Sequence, residues 1–384
     1  MGKRDLLFLS RLFFLFSFTS APFFSAYPAT VDTPSIYGRG GTYVAGGRGL
    51  EALFQNPAML SRASHKAVQL PRGNGSFGFD SINVLTTANE ASQNPDQVHK
   101  LLTPLIGKHG HANWSIFPAY AANQFALGGF YAGQIDADIH NPVIPEATLS
   151  YLTDTGIMAG WAKPVWRNRL AIGMSALLSH RYGGVRTFEL DDFIDPAASQ
   201  NIGIPKSRLY LLDFDFGLLY SFGSAADERA LFTETAEWRP ALGLVIHRIL
   251  GSQLGVVVED PKGDRAEDLR WGQSLDFGVS VQSPPWKSHS LLIAADFRSL
   301  GRSFSPARLS SYLKHFHLGT ELQLFHETLF LRGGLYQGYP AGGIGISAGK
   351  ISIDASLHQE ELGELGWARP DLRGSLSITA NWPL

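Results

Sequence analysis

One short stretch of the sequence has the residue order of a serine hydrolase. Residues 345–349 read GISAG, which matches the G-x-S-x-G nucleophile pattern, and Asp354 and His358 follow in the order that α/β-hydrolases use. That pattern works where the serine lies on a sharp turn from a strand into a helix. Ser347 instead falls in an alternating pattern that is followed at once by a second strand pattern. We therefore predict no catalytic residues and no enzymatic activity.

Histidine pairs are the second group of residues with the types and spacing for chemistry. His315 and His317 share one face of a predicted strand, so their imidazoles could begin a metal site. The sequence supplies no third ligand for this pair, and we interpret it as polar residues of a lumen. His109 and His111 fall in a predicted loop, where we expect them to be solvated. We predict no metal site and no cofactor.

Composition excludes several further classes of function. The chain has 384 residues, no cysteine and a formal net charge of -2. Thiolate zinc sites, cysteine nucleophiles and disulfide frameworks are therefore excluded. The charge offers no concentrated basic face, so we expect no nucleic-acid partner.

The N-terminus has the layout of a secretory signal peptide. Lys3 and Arg4 precede an apolar run from Leu6 to Phe18, and small residues follow. We assign residues 1–29 to this signal, which implies export. No later run approaches the ~18 apolar residues of a transmembrane helix.

Strict alternation of apolar and polar residues is the main structural signal in the rest of the chain. In residues 210–222, YLLDFDFGLLYSF, every even position is apolar or aromatic, whereas Asp213, Asp215 and Ser221 are at odd positions. Residues 371–382, DLRGSLSITANW, alternate in the same way. Strands of this length, with aromatic residues at their ends, are typical of outer-membrane barrels. A secreted soluble β-protein is the alternative, but it usually has shorter strands.

The pattern predicts an all-β, transmembrane antiparallel β-barrel of about fourteen strands. The first predicted strand is 76–85 and the last is 371–382. Long connections, including 86–112, 182–207, 250–270, 299–314 and 359–370, alternate with short ones, as the two ends of such a barrel require.

A glycine-rich segment before the strands carries a family resemblance. It ends in GLEALFQNPAML at residues 49–60, and Asn56, Pro57 and Ala58 form its centre. WAKPVWRNRLAIGM and GGIGISAGKISIDASLHQEELGELG are two further matching stretches. Together they resemble the FadL-type family of outer-membrane transporters and its PorV-like relatives. The matching N-terminal residues are Gly40, Gly41, Ala45, Ala52, Phe54, Asn56, Pro57, Ala58 and Leu60.

The resemblance implies an organisation and a function. Residues 30–75 would form a hatch that plugs the barrel, and residues 76–384 would form the barrel in the lipid of the cell outer membrane. Such a protein would mediate passive transfer of small hydrophobic, fatty-acid-like molecules. The alternative is a non-transporting PorV-like barrel that anchors or hands over a periplasmic or secretion partner protein.

Three sets of residues complete the candidate site. Asn56 is placed as an N-cap before Pro57 and Ala58, so NPAML predicts a short helical turn. Asp213 and Asp215 point inward by parity and could line a wet lumen or pair with Arg169, Arg332 or Arg373. Glycines in the third predicted strand could permit a kink in the wall or make room in the lumen. These glycines are Gly128, Gly129 and Gly133.

Overall fold

The computed structural model describes most of the chain after the predicted signal. The described residues are 32–47, 49–62, 67–93, 100, 103–140, 146–166, 168–188, 207–222, 238–251, 256–259, 272–300, 309–363 and 367–383. The signal peptide predicted for residues 1–29 lies outside them. Within these ranges no helix is long and apolar enough to cross a membrane.

Strands make up most of the described chain, and the helices are short. The helices are α1 (Pro34–Gly38), α2 (Ser81–Gln93) and α3 (Leu309–His315), and three 3-10 helices span Gly49–Leu53, Pro57–Arg62 and Thr103–Leu105. The first strands are β1 (Ala67–Gly78), β2 (His109–Ala122), β3 (Phe125–His140), β4 (Glu146–Val165) and β5 (Leu170–Phe188). The middle strands are β6 (Ser207–Ser221), β7 (Arg239–His247), β8 (Val256–Glu259), β9 (Ser274–Gln282) and β10 (Ser290–Leu300). The last are β11 (Phe316–Leu324), β12 (Leu329–Tyr336), β13 (Tyr339–Ala348), β14 (Ile351–Glu361) and β15 (Pro370–Pro383).

The strands close into an antiparallel barrel. Each long strand pairs with its neighbours in the sequence, β1 pairs with β15, and β5 pairs with β6 to complete the ring. The prediction of a fourteen-stranded antiparallel barrel is thereby confirmed, and β8 is an extra short strand beside β6. Closure pairs the backbone groups that a sheet edge would otherwise leave unpaired in lipid.

Side chains on the outer face are apolar, and rings gather at both ends of the barrel. One end, here the short-turn end, carries the turns at 123–124, 325–328 and 349–350. Its exposed rings are Tyr120, Phe125, Trp161, Trp166, Phe222, Trp238, Trp286, Phe325 and Trp382. The opposite, long-loop end has exposed rings at Phe77, Phe79, Trp114, Tyr131 and Tyr210. Two aromatic belts around an apolar band are the pattern of a barrel that spans a membrane.

Two segments near the start of the barrel differ from the prediction. The first strand begins at Ala67 rather than at residue 76, and a bulge between Leu70 and Gly73 interrupts its pairing with β15. Pro71 and the nearby glycines hid this strand because both residue types are depleted in strands. His109 and His111, predicted in a solvated loop, begin strand β2, and His111 is buried.

The segment before β1 lies inside the barrel, and we call residues 32–62 the hatch. Its core is fully buried at Ile36, Val44, Ala52, Leu53 and Leu60. The hatch backbone comes so close to the wall that a Cβ atom on several inward-facing positions would overlap it or its side chains. These wall positions are all glycine: Gly160, Gly173, Gly217, Gly243, Gly278 and Gly319.

Replacing one of these wall glycines should loosen the hatch. A Cβ at Gly173 would meet the backbone of Pro57 and Ala58, whereas a Cβ at Gly333 on β12 has open space. We expect Gly173→Val to raise ion leak in planar bilayers, because the hatch backbone must move away from the wall. Gly333→Val is the matched control and should leave the leak unchanged. Equal leak from both variants would show that the close approach does not hold the hatch in place.

Candidate functional site in the plugged lumen

Asn56 joins the hatch to the barrel wall. Its Oδ1 accepts the Ala58 N–H at 3.0 Å and so caps the 3-10 helix that Pro57 begins. Its Nδ2 donates to the Val44 carbonyl at 2.8 Å and to the Leu218 carbonyl at 3.2 Å. One buried side chain therefore ties two parts of the hatch to strand β6.

Asp296 on β10 holds a second part of the hatch through backbone bonds. Its Oδ2 accepts the Tyr43 N–H at 2.6 Å and the Val44 N–H at 2.9 Å. The Tyr43 hydroxyl donates to Asp276 Oδ2 at 2.5 Å, and the Arg298 guanidinium lies 4.3 Å from the centre of the Tyr43 ring. One buried carboxyl oxygen thus accepts two backbone N–H groups of the hatch, which would otherwise be left unpaired inside the barrel.

Gly40 and Gly41 allow the hatch to turn against β11 and β12. Their φ angles are 63° and 87°, a left-handed conformation that other residues rarely adopt. A Cβ on Gly40 would also overlap the backbone of Leu318 and Leu335. The Gly40 carbonyl lies 2.8 Å from His317 Nδ1, so a histidine predicted in the lumen contacts the hatch.

Glu51 makes the third polar anchor, with Arg72 on β1. It accepts a hydrogen bond from the Thr33 hydroxyl at 2.8 Å and forms an ion pair with Arg72. Burial acts to raise the pKa of Glu51, but Arg72, Arg39 and the Thr33 hydrogen bond outweigh it and lower that pKa. Glu51 therefore stays ionised inside the barrel at neutral pH.

The lumen has an apolar side formed by β2 to β6. Phe54 of the hatch is only partly buried, and its ring meets those of Phe117 at 4.8 Å and Phe130 at 5.6 Å, both edge to face. The other apolar wall residues in this cluster are Leu152, Met158, Leu177, Leu209, Leu211 and Leu219. We call this surface the apolar side. Its side chains pack against one another and against the hatch.

The opposite side of the lumen, from β9 to β15, is polar. Arg332 donates to Glu321 at 2.7 Å and to Asp354 at 2.5 Å, and Arg373 donates to Asp371 at 2.8 Å and also pairs with Glu360. Arg169, the third arginine named in the sequence analysis, lies instead in the turn after β4 and is exposed. Further buried polar residues on β9 to β15 include Asp276, Asp296, His317, Gln323, His358, Ser375, Ser377 and Thr379.

Asp213 and Asp215 hold an interruption in the barrel wall. Both β7 and β8 pair with β6, but β7 pairs with 216–221 and β8 with 207–210. Between them the chain turns out of the ladder at 248–251. Asp215 Oδ1 accepts the Arg248 N–H at 2.7 Å, and Asp213 Oδ1 accepts the Leu250 N–H at 3.0 Å. These two carboxylates satisfy backbone groups that the interrupted ladder leaves without strand partners.

The glycines of β3 lie in a wall that keeps its register. Strand β3 pairs with β4 from Phe125 to His140 without a break, whereas its ladder with β2 keeps its register but has no pairs at Gly129 and Phe130. Gly128 lies under the inward ring of Phe117, and Gly133 lies under the ring of Trp114. A Cβ at Gly129 would have only the Gly156 carbonyl nearby.

The residues of the hydrolase-like pattern have other partners. The Ser352 hydroxyl donates to Ser347 Oγ at 3.0 Å, and Asp354 is paired with Arg332. The His358 ring stacks on Tyr37 of the hatch at 4.0 Å. Asp354 and His358 thus contribute to hatch and wall packing.

Asp296, Tyr43 and Arg298 are functional residues that the sequence analysis missed. Parity alone could have placed Asp276 and Asp296 inward, because both lie in alternating strands. Nothing in the sequence links them to Tyr43, which is more than two hundred residues away.

Comparison with known proteins gives only distant structural neighbours. No protein-family model and no curated protein matches the sequence. The toluene transporter TbuX of Ralstonia pickettii is 10% identical, with 94% of this chain and 100% of that chain covered at a TM-score of 0.47. The toluene transporter TodX of Pseudomonas putida is 10% identical, with 92% and 97% covered at 0.43. The translocator domain of the autotransporter NalP from Neisseria meningitidis is also 10% identical, with 83% and 88% covered at 0.34.

Removing the Asp296 carboxylate should free the hatch locally. Asp296→Ala leaves the Tyr43 and Val44 N–H groups without their buried acceptor, at a cost of about 1–3 kcal/mol for each unsatisfied group. We expect hydrogen exchange at these two amides to accelerate at least about tenfold, since 1.4 kcal/mol corresponds to a factor of ten. Asp80→Ala, which removes a more exposed carboxylate paired with Lys108, is the control. Unchanged exchange in Asp296→Ala would mean that other contacts hold this segment.

Acid should loosen the hatch through Glu51. Because its pKa is lowered in the folded state, the Glu51 anchor is fully present above the ordinary value of about 4.3 and is lost as pH falls through the lowered pKa. Bilayer leak of the wild type should therefore rise as pH falls below about 4. Glu51→Gln should leak more at pH 7 and respond less to acid. Glu327→Gln, in an exposed turn, should behave as the wild type. An acid response identical in Glu51→Gln and wild type would exclude this residue as its source.

Proposed function

We propose that this protein mediates passive, gradient-driven transfer of small hydrophobic, fatty-acid-like molecules across the outer membrane. The observation that carries the proposal is the apolar side of a lumen that the hatch otherwise fills. A water-filled pore would have a polar wall throughout. Here Phe54, Phe117 and Phe130 form an aromatic surface that the hatch shares with the wall.

Contact with apolar side chains would favour binding of a hydrophobic ligand in the lumen. Burial of apolar surface stabilises a ligand by roughly 25 cal/mol per Å². A hydrocarbon chain against Phe54 would touch the hatch and the wall together, so its binding would be coupled to the position of the hatch. The polar anchors at Asp296, Asn56 and Glu51 would keep the lumen closed to ions in the absence of ligand.

The orientation follows from loop lengths and the predicted signal. Barrels of the outer membrane have short turns on the periplasmic side and longer loops outside. The short-turn end would therefore face the periplasm, and ligand would enter from the long-loop end. The family resemblance of the N-terminal motif supports the same assignment.

Uptake into liposomes tests the proposal. Wild-type protein should admit a fluorescently labelled fatty acid faster than an empty bilayer. Phe54→Asp should slow uptake, because it places a charge on the apolar side, and we expect a loss of about tenfold or more. Phe79→Asp, an exposed ring at the long-loop end, is the matched control and should retain uptake.

Two results would contradict the proposal. Uptake by the wild type no faster than by empty liposomes would exclude transfer of this ligand class. If such a protein also captured a periplasmic partner from membranes, the non-transporting PorV-like alternative would be favoured. Equal uptake by Phe54→Asp and wild type would place the route away from the apolar side.

A further inference from the structure

His109, His111 and Asp136 converge near the long-loop end of the lumen. His109 and His111 are two residues apart on β2, and Asp136 is the direct partner of His111 on β3. Asp136 Oδ1 lies 3.2 Å from His109 Nε2 and 2.6 Å from His111 Nδ1. The ligand atoms of the three residues all lie within 4.8 Å of one another.

We propose that these three residues bind a divalent transition-metal ion of the zinc class. Zinc bonds histidine nitrogen and carboxylate oxygen at about 2.0–2.2 Å, so ligand atoms around a tetrahedral ion are about 3.3 Å apart. The separation between His109 and Asp136 already meets this spacing, and that between His111 and Asp136 would have to open by about 0.7 Å. A set of two imidazoles and one carboxylate favours Zn²⁺, Ni²⁺ or Cu²⁺ over Ca²⁺ and Mg²⁺.

The surrounding charge favours a cation at this position. Asp136 interacts electrostatically with Arg373 and Glu360, and Arg373 is also paired with Asp371. Asp138 pairs with Arg369, which also interacts with Asp371, so four carboxylates in this region share two guanidinium groups. The local excess of negative charge matches a divalent ion.

A metal here would connect the barrel wall to helix α2. Ser81, the first residue of α2, donates to the His111 carbonyl and accepts the His111 N–H, each at 2.8 Å. An ion on His111 and Asp136 would therefore fix β2, β3 and α2 together. This site is separate from the apolar side and does not depend on the proposed transfer of hydrophobic molecules.

Two other histidine groups in the chain show what the site requires. His315 and His317 have the same spacing, but their Nδ1 atoms lie 2.8 Å from the carbonyls of Arg298 and Gly40. His140 pairs with Glu146 at 3.2 Å near the long-loop end, yet the pair supplies only two donors. His140 is therefore a matched control for a histidine next to a carboxylate.

Metal titration of the full-length protein tests the inference. Detergent-purified, tag-free protein would be stripped with EDTA and titrated with Zn²⁺ against a chromophoric chelator. We expect one Zn²⁺ per chain, not displaced by millimolar Ca²⁺. His109→Gln and Asp136→Asn should each weaken binding by more than about tenfold, since loss of even an outer-shell partner costs roughly 10- to 100-fold. His140→Gln should bind as the wild type does.

A second measurement separates loss of the site from loss of the fold. Co²⁺ bound by the wild type should give the visible absorption of a four-coordinate ion. His109→Gln, which changes a partly exposed residue, should lose this absorption. The variant should keep the heat-modifiable electrophoretic mobility of a folded barrel. The inference is overturned if the wild type binds Zn²⁺ no more tightly than a His109→Gln/Asp136→Asn double variant. It is also overturned if His140→Gln loses as much affinity as Asp136→Asn.

Discussion

The bond from Asp296 to two backbone amides of the hatch is the interaction on which the plugged lumen depends. A chain that enters a closed barrel must satisfy its own backbone groups there, because little water competes for them. Asp296 accepts hydrogen bonds from the Tyr43 and Val44 N–H groups, and Asn56 accepts one from the Ala58 N–H group. The wall glycines then allow the two backbones to lie in contact. The placement of the hatch therefore depends on contacts that only the closed barrel provides.

The division of the lumen into two sides follows from how the hatch is held. Its charged anchors use β9, β10 and β1, and Asn56 bonds β6, whereas Leu53, Phe54 and Leu60 pack on β2 to β6. Charged groups on the polar side are paired or bonded to backbone, which limits the cost of their burial. The apolar side carries fewer such groups, although the Arg181 and Asp154 pair, with bonds of 2.7 and 2.8 Å, crosses it. Phe54 lies where a hydrocarbon would meet both hatch and wall.

Period-two alternation made most of the fold predictable. Residues 210–222 and 371–382 form β6 and β15 nearly as predicted, because one face of each strand is apolar throughout. Alternation did not predict the first part of β1, because Pro71 and the neighbouring glycines are rare in strands. It also did not predict the start of β2, where small and polar residues from His109 begin the strand. Alternation also could not show that the ladder breaks after His247.

The candidate site was less predictable because its contacts join distant parts of the chain. Parity placed Asp213 and Asp215 inward, but their bonds to the turn at Arg248 and Leu250 depend on how β7 leaves the sheet. The NPA motif indicated a capped turn from local chemistry alone. Its position against Gly173 and Gly217 required the assembled barrel.

The most direct test of the central claim is conductance in planar bilayers after deletion of residues 38–60. If the hatch closes the lumen, the folded deletion variant should show large, stable conductance steps, and the intact protein should show almost none. Equal conductance of the two proteins, with the barrel of the variant shown to be folded, would contradict the account.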